Sequence, residues 1–207
     1  MTTTLNPPEQ RILLNNISWE LYESLLTAHL ASSVPRFTYD RGCLEIMSPS
    51  DEHEQLTRAF DQLVNIVAEE INVNAKGYGS TTFRRRDLKR GFEPDACFYS
   101  QNLHRVLGKK TKIDLRTDPP PDLVIEIDVT SSSLNKAAIM AEFGVPELWR
   151  HRRNVCHILG LESTGYVERP ESSMLPGLTA ELISVLIEES RTLEPLIWIR
   201  HVRAAVK

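Results

Sequence analysis

Cysteine is scarce in this 207-residue chain: Cys43, Cys97 and Cys156 are an odd number, far apart, with no CxxC pair. That pattern argues against a disulfide scaffold or a cysteine-built zinc site and points to reduced, mostly buried thiols. No apolar run approaches the roughly 18–20 residues needed to span a bilayer. The opening MTTTLNPPEQ lacks a basic stretch followed by an apolar one, so no secretory signal and a cytoplasmic location are expected. Internal repeats and low-complexity tracts are also missing. So are G-x-x-x-x-G-K, G-x-G-x-x-G, H-E-x-x-H and G-x-S-x-G, which leaves no phosphate-cradling loop, zincin helix or nucleophile elbow. The six histidines (His29, His53, His104, His151, His157, His201) show no ligand-like pairing, which argues against zinc. A basic excess is lacking too. The net charge is −4, which counts against a dedicated nucleic-acid surface.

What is present is ordinary globular composition, 41% hydrophobic and 25% charged, enough for one domain with a full core. The expected organisation is a polar N-terminal tail over 1–17 and a single domain over 18–207. Ser18 can cap an amphipathic helix carrying Leu21, Leu25 and Leu26. RFTYDRGCLEIMS reads as a hairpin turning at Asp40-Arg41-Gly42. Ser48-Pro49 carries the start signals of a long helix whose core stripe is Leu56, Phe60, Leu63, Val64, Val67 and Ile71. Strand-like stretches follow at 79–83 and 95–99, then a charged loop over 101–117 and the run Pro119–Pro121. DLVIEIDV is the clearest strand. Ser131-Ser132-Ser133 is placed to cap a short helix ending at Gly144, with Pro146 beyond it. A hairpin (148–153 and 155–161) and helices near 178–189 and 196–206 complete an α/β or α+β layered domain.

The strand 123–129 carries the chemistry. Alternation puts Leu123, Ile125, Ile127 and Val129 on one face and Val124, Glu126 and Asp128 on the other. Two carboxylates about 7 Å apart thus stand on an otherwise apolar, central strand. Burying them ionised costs several kcal/mol unless a cation or donors compensate. In the next helix the stripe Ile139, Met140 and Phe143, counted back three, four and seven residues, lands on Lys136. Its ammonium can aim at those carboxylates, neutralise Glu126 structurally, or snorkel to solvent. In the long helix the wheel puts Glu52 and His53 inward and Glu54 outward, and inward polar groups in a first turn often only satisfy backbone. Asp95 follows Pro94 in a pair common in turns. Basic residues cluster as Arg84, Arg85, Arg86, Lys89 and Arg90, and as Lys109, Lys110 and Lys112; such runs are often solvated loops.

With these residues in view, Asp95 in EPDACFY followed by Glu126 in PDLVIEIDVTSSS resembles the PD-(D/E)xK nuclease signature. SWELYESLL, LEIMSPSDEHE, PDLVIEIDVTSSS with Lys136, and FGVPELW together resemble a large bacterial family of putative restriction endonucleases, formerly a domain of unknown function. The resemblance covers about 18–161. It implies a restriction-endonuclease-like fold, with a central mixed β-sheet flanked by helices. It also implies that Asp95 and Glu126, with Asp128 or the Ile127 carbonyl, hold Mg²⁺ or Mn²⁺ for cleavage of DNA phosphodiester bonds. The superfamily's lysine normally lies two residues after the acid; that position is Asp128 here. In the narrower family the lysine is eight residues before the glycine of GVPE, which is Lys136. His53 matches a histidine of the family's long helix, and Glu52 could supply an acid there.

The expected function is therefore a Mg²⁺-dependent endodeoxyribonuclease acting on double-stranded DNA, with Asp95, Glu126, Lys136 and His53 as its catalytic set. A catalytically inactive nuclease fold serving as a DNA-binding or interaction module stays open, because position 128 lacks the lysine. A two-carboxylate hydrolase for another substrate needs only acid and base, and gives Lys136 no role. No membrane partner is expected, and the apolar segment 193–206 would serve a homodimer or close the core.

Overall fold

The computed structural model describes residues 9–29, 32, 34–109, 112–129 and 134–207. Strand β1 (Gln10–Leu14) leads into helix α1 (Trp19–Ala28), strands β2 (Arg36–Asp40) and β3 (Cys43–Ser48), and the long helix α2 (Asp51–Glu70). Short strands β4 (Lys76–Gly77), β5 (Phe83–Arg85), β6 (Arg90–Phe92) and β7 (Ala96–Tyr99) follow, then helix α3 (Leu103–Val106). The unit β8 (Leu123–Asp128), α4 (Lys136–Glu142) and β9 (Glu147–Arg152) precedes β10 (Val155–Glu162), β11 (Gly165–Arg169), α5 (Ala180–Ser190) and α6 (Pro195–Ala205). Among the described residues no helix is long and apolar enough to cross a membrane.

The strands form two sheets. The larger is mixed, in the order β11-β10-β9-β8-β7-β4, with β8 and β9 parallel and the other pairs antiparallel. A parallel pair needs a crossover, and α4 is that crossover. One face of this sheet, with Ile125, Ile127 and Trp149, packs against α2, α5 and α6; the other, with Val124 and Leu148, packs against Ile139, Met140 and Phe143 of α4. This is the expected mixed sheet flanked by helices. The second sheet, β1-β3-β2-β6-β5, is antiparallel throughout and was not expected. Its strands β5 and β6 have three residues each, too short for a period-2 signal.

Local chemistry explains where the elements begin. Ser18 Oγ accepts from Leu21 N–H to cap α1, as expected. The buried face is Trp19, Tyr22 and Leu26 rather than the leucine set, and Leu21 is 47% exposed. The larger aromatic surfaces take the core position, where they pack on Tyr39. Gly91 must be glycine: a Cβ there would sit 2.3 Å from the Tyr22 hydroxyl. Ser50, not Ser48, caps α2, accepting from His53 N–H at 3.3 Å, with Asp51, Glu52 and Glu54 in the first turn. The segment read as a polar tail contributes β1, paired with β3 from Gln10↔Ser48 to Leu14↔Leu44.

His151, on β9, lies edge-to-face against Phe60 at 5.3 Å and is 4% exposed. Burial, with Arg191 adding to it, holds its pKa below the ordinary value. The unfolded chain therefore takes up this proton near pH 6.5, before the folded one does. The stability tied to the neutral ring is complete above that pH and lost as pH falls. We expect His151→Leu to show a smaller drop in unfolding free energy between pH 7.5 and 5, measured by urea denaturation. Equal drops in both proteins would contradict this.

Candidate active site

The site is built where the carboxyl end of β8 meets the first turn of α4. Alternation along β8 turns Glu126 toward α4, and the whole strand is buried. Asn135 caps α4, its Oδ1 accepting from Ala138 N–H, and Lys136 is the first helical residue. The expected caps Ser131, Ser132 and Ser133 lie outside the described residues. Lys136 is 8% exposed, and its Nζ donates to Glu126 Oε2 at 2.7 Å. A cation at a helix N-terminus opposes the macrodipole, so its burial there requires the carboxylate. Of the three fates open to Lys136, snorkelling to solvent is not the one adopted.

Asp95 lies between β6 and β7 and is gripped from three directions. Ile127 N–H donates to its Oδ2 at 2.6 Å, His53 Nε2 stands 3.2 Å from the same oxygen, and Arg36 forms an ion pair with Oδ1. Burial works against the ionised form, yet His53, then Arg36 and Lys136, hold its carboxyl well below the usual range. Glu126 goes the other way. Burial pushes it up to about 7, Lys136 pulling it down and the neighbouring Asp95 charge adding to the rise. Lys136 stays firmly protonated: burial disfavours its charge, but Glu126 and Asp95 outweigh that. Two carboxyl groups with pKa values driven apart is a pattern that marks functional sites.

Around this centre the structure brings in residues that sequence reasoning missed. Arg36 bridges Asp95 and Glu54, the latter at 2.9 Å. Arg11 joins Glu9 and Glu45, each at 2.8 Å, and Glu9 Oε2 lies 3.8 Å from His53 Nε2. Glu45 carried a readable signal, since it stands between Leu44 and Ile46 on β3 much as Glu126 stands on β8. His53 is fully buried on the inward side of α2, as the wheel placed it, but its helix neighbours exchange roles. Glu54 reaches Arg36, while Glu52 turns out to Arg191 at 3.0 Å. The core stripe reports which side of α2 faces the mixed sheet; the site lies off the helix's N-terminal end, beside β2.

Asp128 shares the Glu126 face and pairs with Arg150 Nε at 2.5 Å. A small cleft of about 40 Å³ is lined by Glu126, Asp128, Lys136 and Arg150, among others. The basic run at 84–90 is largely matched by carboxylates: Arg85 with Asp87 at 2.5 Å, Arg86 with Glu20 at 2.6 Å, Arg90 with Asp40 at 2.8 Å. Lys109 is paired with Asp118.

Among the described residues no group of three or more His, Cys, Asp or Glu side chains is gathered as a metal cage. Magnesium does not need one, because it keeps several waters and is usually bound by one or two carboxylates. Glu126 Oε1 is buried and has no hydrogen-bond partner among the described residues. A buried carboxylate oxygen left in that state is costly without a cation, so the donor set fits a hard divalent ion.

Residues 19–186 match the family model Uma2, described as "Putative restriction endonuclease". A similar solved structure is that of a putative nuclease belonging to DUF820 from Anabaena variabilis. It has a TM-score of 0.57 and 14% identity over 83% of this chain and 99% of that chain. At that identity the likeness shows a shared fold. No curated protein matches the chain.

Proposed function

This chain belongs to the Uma2 family of restriction-endonuclease-like proteins, and from that premise we propose that it is a divalent-metal-dependent endonuclease cutting DNA phosphodiester bonds. The observation that carries the reading is the buried Lys136–Glu126 contact at 2.7 Å, with Asp95 alongside and Glu126 Oε1 unpartnered among the described residues. Asp95 and Glu126 would hold Mg²⁺ or Mn²⁺, with the Ile127 carbonyl and Asp128 as neighbouring oxygen donors. When bound, such an ion acidifies water and stabilises charge on the phosphate.

The remaining roles belong to the chain. Lys136, held protonated, supplies N–H donors and positive charge beside the reacting water and phosphate. Ile127 N–H fixes the Asp95 carboxylate in one orientation, and the nearby His53 and Arg36 keep it ionised. Burial of the cluster strengthens each of these interactions relative to water.

Titration calorimetry with Mg²⁺ and Mn²⁺ tests the metal reading. We expect one binding event in the wild type that is lost in Glu126→Gln. No heat with either metal in the wild type would contradict it. A second reading, a nuclease fold kept as a metal-free binding module, draws on one observation: both Asp95 oxygens are already engaged, by Arg36 and by Ile127 N–H. That reading predicts the silent titration.

A further inference from the structure

We infer that Arg150, with Arg152 and Arg153 beyond it, forms a phosphate-gripping ridge that seats a nucleic-acid backbone against the Glu126–Lys136 pair. The inference rests on the nuclease reading for the identity of its ligand. It follows from the register of the parallel pair. Glu126 stands opposite Arg150 and Asp128 opposite Arg152, so these four side chains share one face of the sheet. They lie at the carboxyl ends of two parallel strands, where open α/β sheets bind their ligands.

Arg150 is tethered at one end only. Its Nε is held by Asp128 at 2.5 Å, while its Nη groups have no hydrogen-bond or ion-pair partner among the described residues. Its side chain is 41% exposed, and it lines the same cleft as Glu126 and Lys136. A guanidinium fixed through Nε presents its free edge as a ready fork for phosphate oxygens. Asp128, at the position where the resemblance leads one to expect lysine, thus orients a cation delivered by the neighbouring strand. Past Arg150 the hairpin turns on two residues with positive φ, Arg153 at 51° and Asn154 at 63°, the geometry of a tight hairpin turn. That turn leaves Arg152 and Arg153 exposed, with no ion pair among the described residues. The run at 84–90 is largely neutralised by carboxylates. In a chain of net charge −4, Arg152 and Arg153, which no carboxylate pairs among the described residues, are the positive field a polyanion would meet beside the site.

The test is fluorescence anisotropy of a labelled 20-base-pair duplex with the full chain in EDTA, over 50–200 mM salt. We expect Arg150→Gln to weaken binding about tenfold and lower the log–log salt slope by about one. The exposed pair Arg152→Gln/Arg153→Gln should lower it by about two, equally on two unrelated sequences. Arg200→Gln, on α6 at the opposite face, should change nothing. Arg150→Gln is checked by circular dichroism; if it misfolds, the Arg152/Arg153 double variant decides. A wild type that binds no duplex at 50 mM salt overturns the inference, and so do variants with unchanged affinity and slope. Because binding is read without metal, a protein that fails to cleave but shows these losses keeps the ridge and loses the cleavage reading. A protein that cleaves with unchanged variants does the reverse.

Discussion

Lys136→Met is expected to slow DNA cleavage about a thousandfold while the chain still folds. Methionine keeps most of the buried stem and removes the ammonium that contacts Glu126 at 2.7 Å. Groups that donate protons or stabilise charge at a reacting centre contribute about 10²–10⁴ in rate, and a thousandfold is about 4 kcal/mol of barrier. The substitution also strips Glu126 of its counter-charge in a fully buried place. Its carboxyl, already raised by burial, rises further, so the folded variant holds that proton over a wider pH range. Stability then falls as pH increases through that range, because the unfolded chain gives up the proton first. Thermal melts should place Lys136→Met near the wild type at pH 5.5 and below it at pH 8. Single-turnover plasmid nicking at wild-type rate would contradict the catalytic role.

Glu147→Ala should produce the largest loss of stability. This carboxylate is 2% exposed at the start of β9 and takes donors from two regions of the chain. Its Oε1 accepts from Trp149 Nε1 and Ser172 Oγ, both at 2.6 Å. Its Oε2 accepts from Ser173 N–H at 2.7 Å, Met174 N–H at 3.2 Å and the Ser173 hydroxyl. Together these bonds pin the segment before α5 onto the mixed sheet. Alanine leaves several buried donors without acceptors, at about 1–3 kcal/mol each before relaxation. A net loss of about 3–5 kcal/mol is expected from the buried donors left without an acceptor. For a domain of this size that is roughly 10 °C in melting temperature, measured by calorimetry. A shift below about 2 °C would show that the bonds are replaced by solvent.

The two side chains at the centre of the site were legible because they lie on regular elements with strong periods. Alternation in LVIEID put Glu126 on the α4 face, and counting back from Ile139, Met140 and Phe143 found Lys136. Asp95 was different. In sequence it is a Pro-Asp pair, and only the family resemblance singled it out. Arg36 could not be found in this way, because its partner Asp95 lies 59 residues away and the two meet through sheet packing. The N-terminal strand was hidden for a related reason. QRILL has no clean alternation, and β1 is an edge strand with Ile12, Leu13 and Leu14 all partly exposed, so it looks like tail. The basic run at 84–90 shows the limit of charge counting, since carboxylates from α1 and β2 approach it only in the folded chain.

Buried Asp95, Glu126 and Lys136 are proposed to form a working metal-dependent nuclease site. Its most direct measurement is conversion of supercoiled plasmid to nicked circles by purified wild type, Glu126→Gln and Lys136→Met, each with Mg²⁺, Mn²⁺ or EDTA. The wild type is expected to nick the plasmid with a divalent metal and not in EDTA, and either variant to nick it at least a hundredfold less. Wild-type protein that leaves the plasmid supercoiled with both metals, or variants that nick it as fast as the wild type, would contradict this role for the three residues.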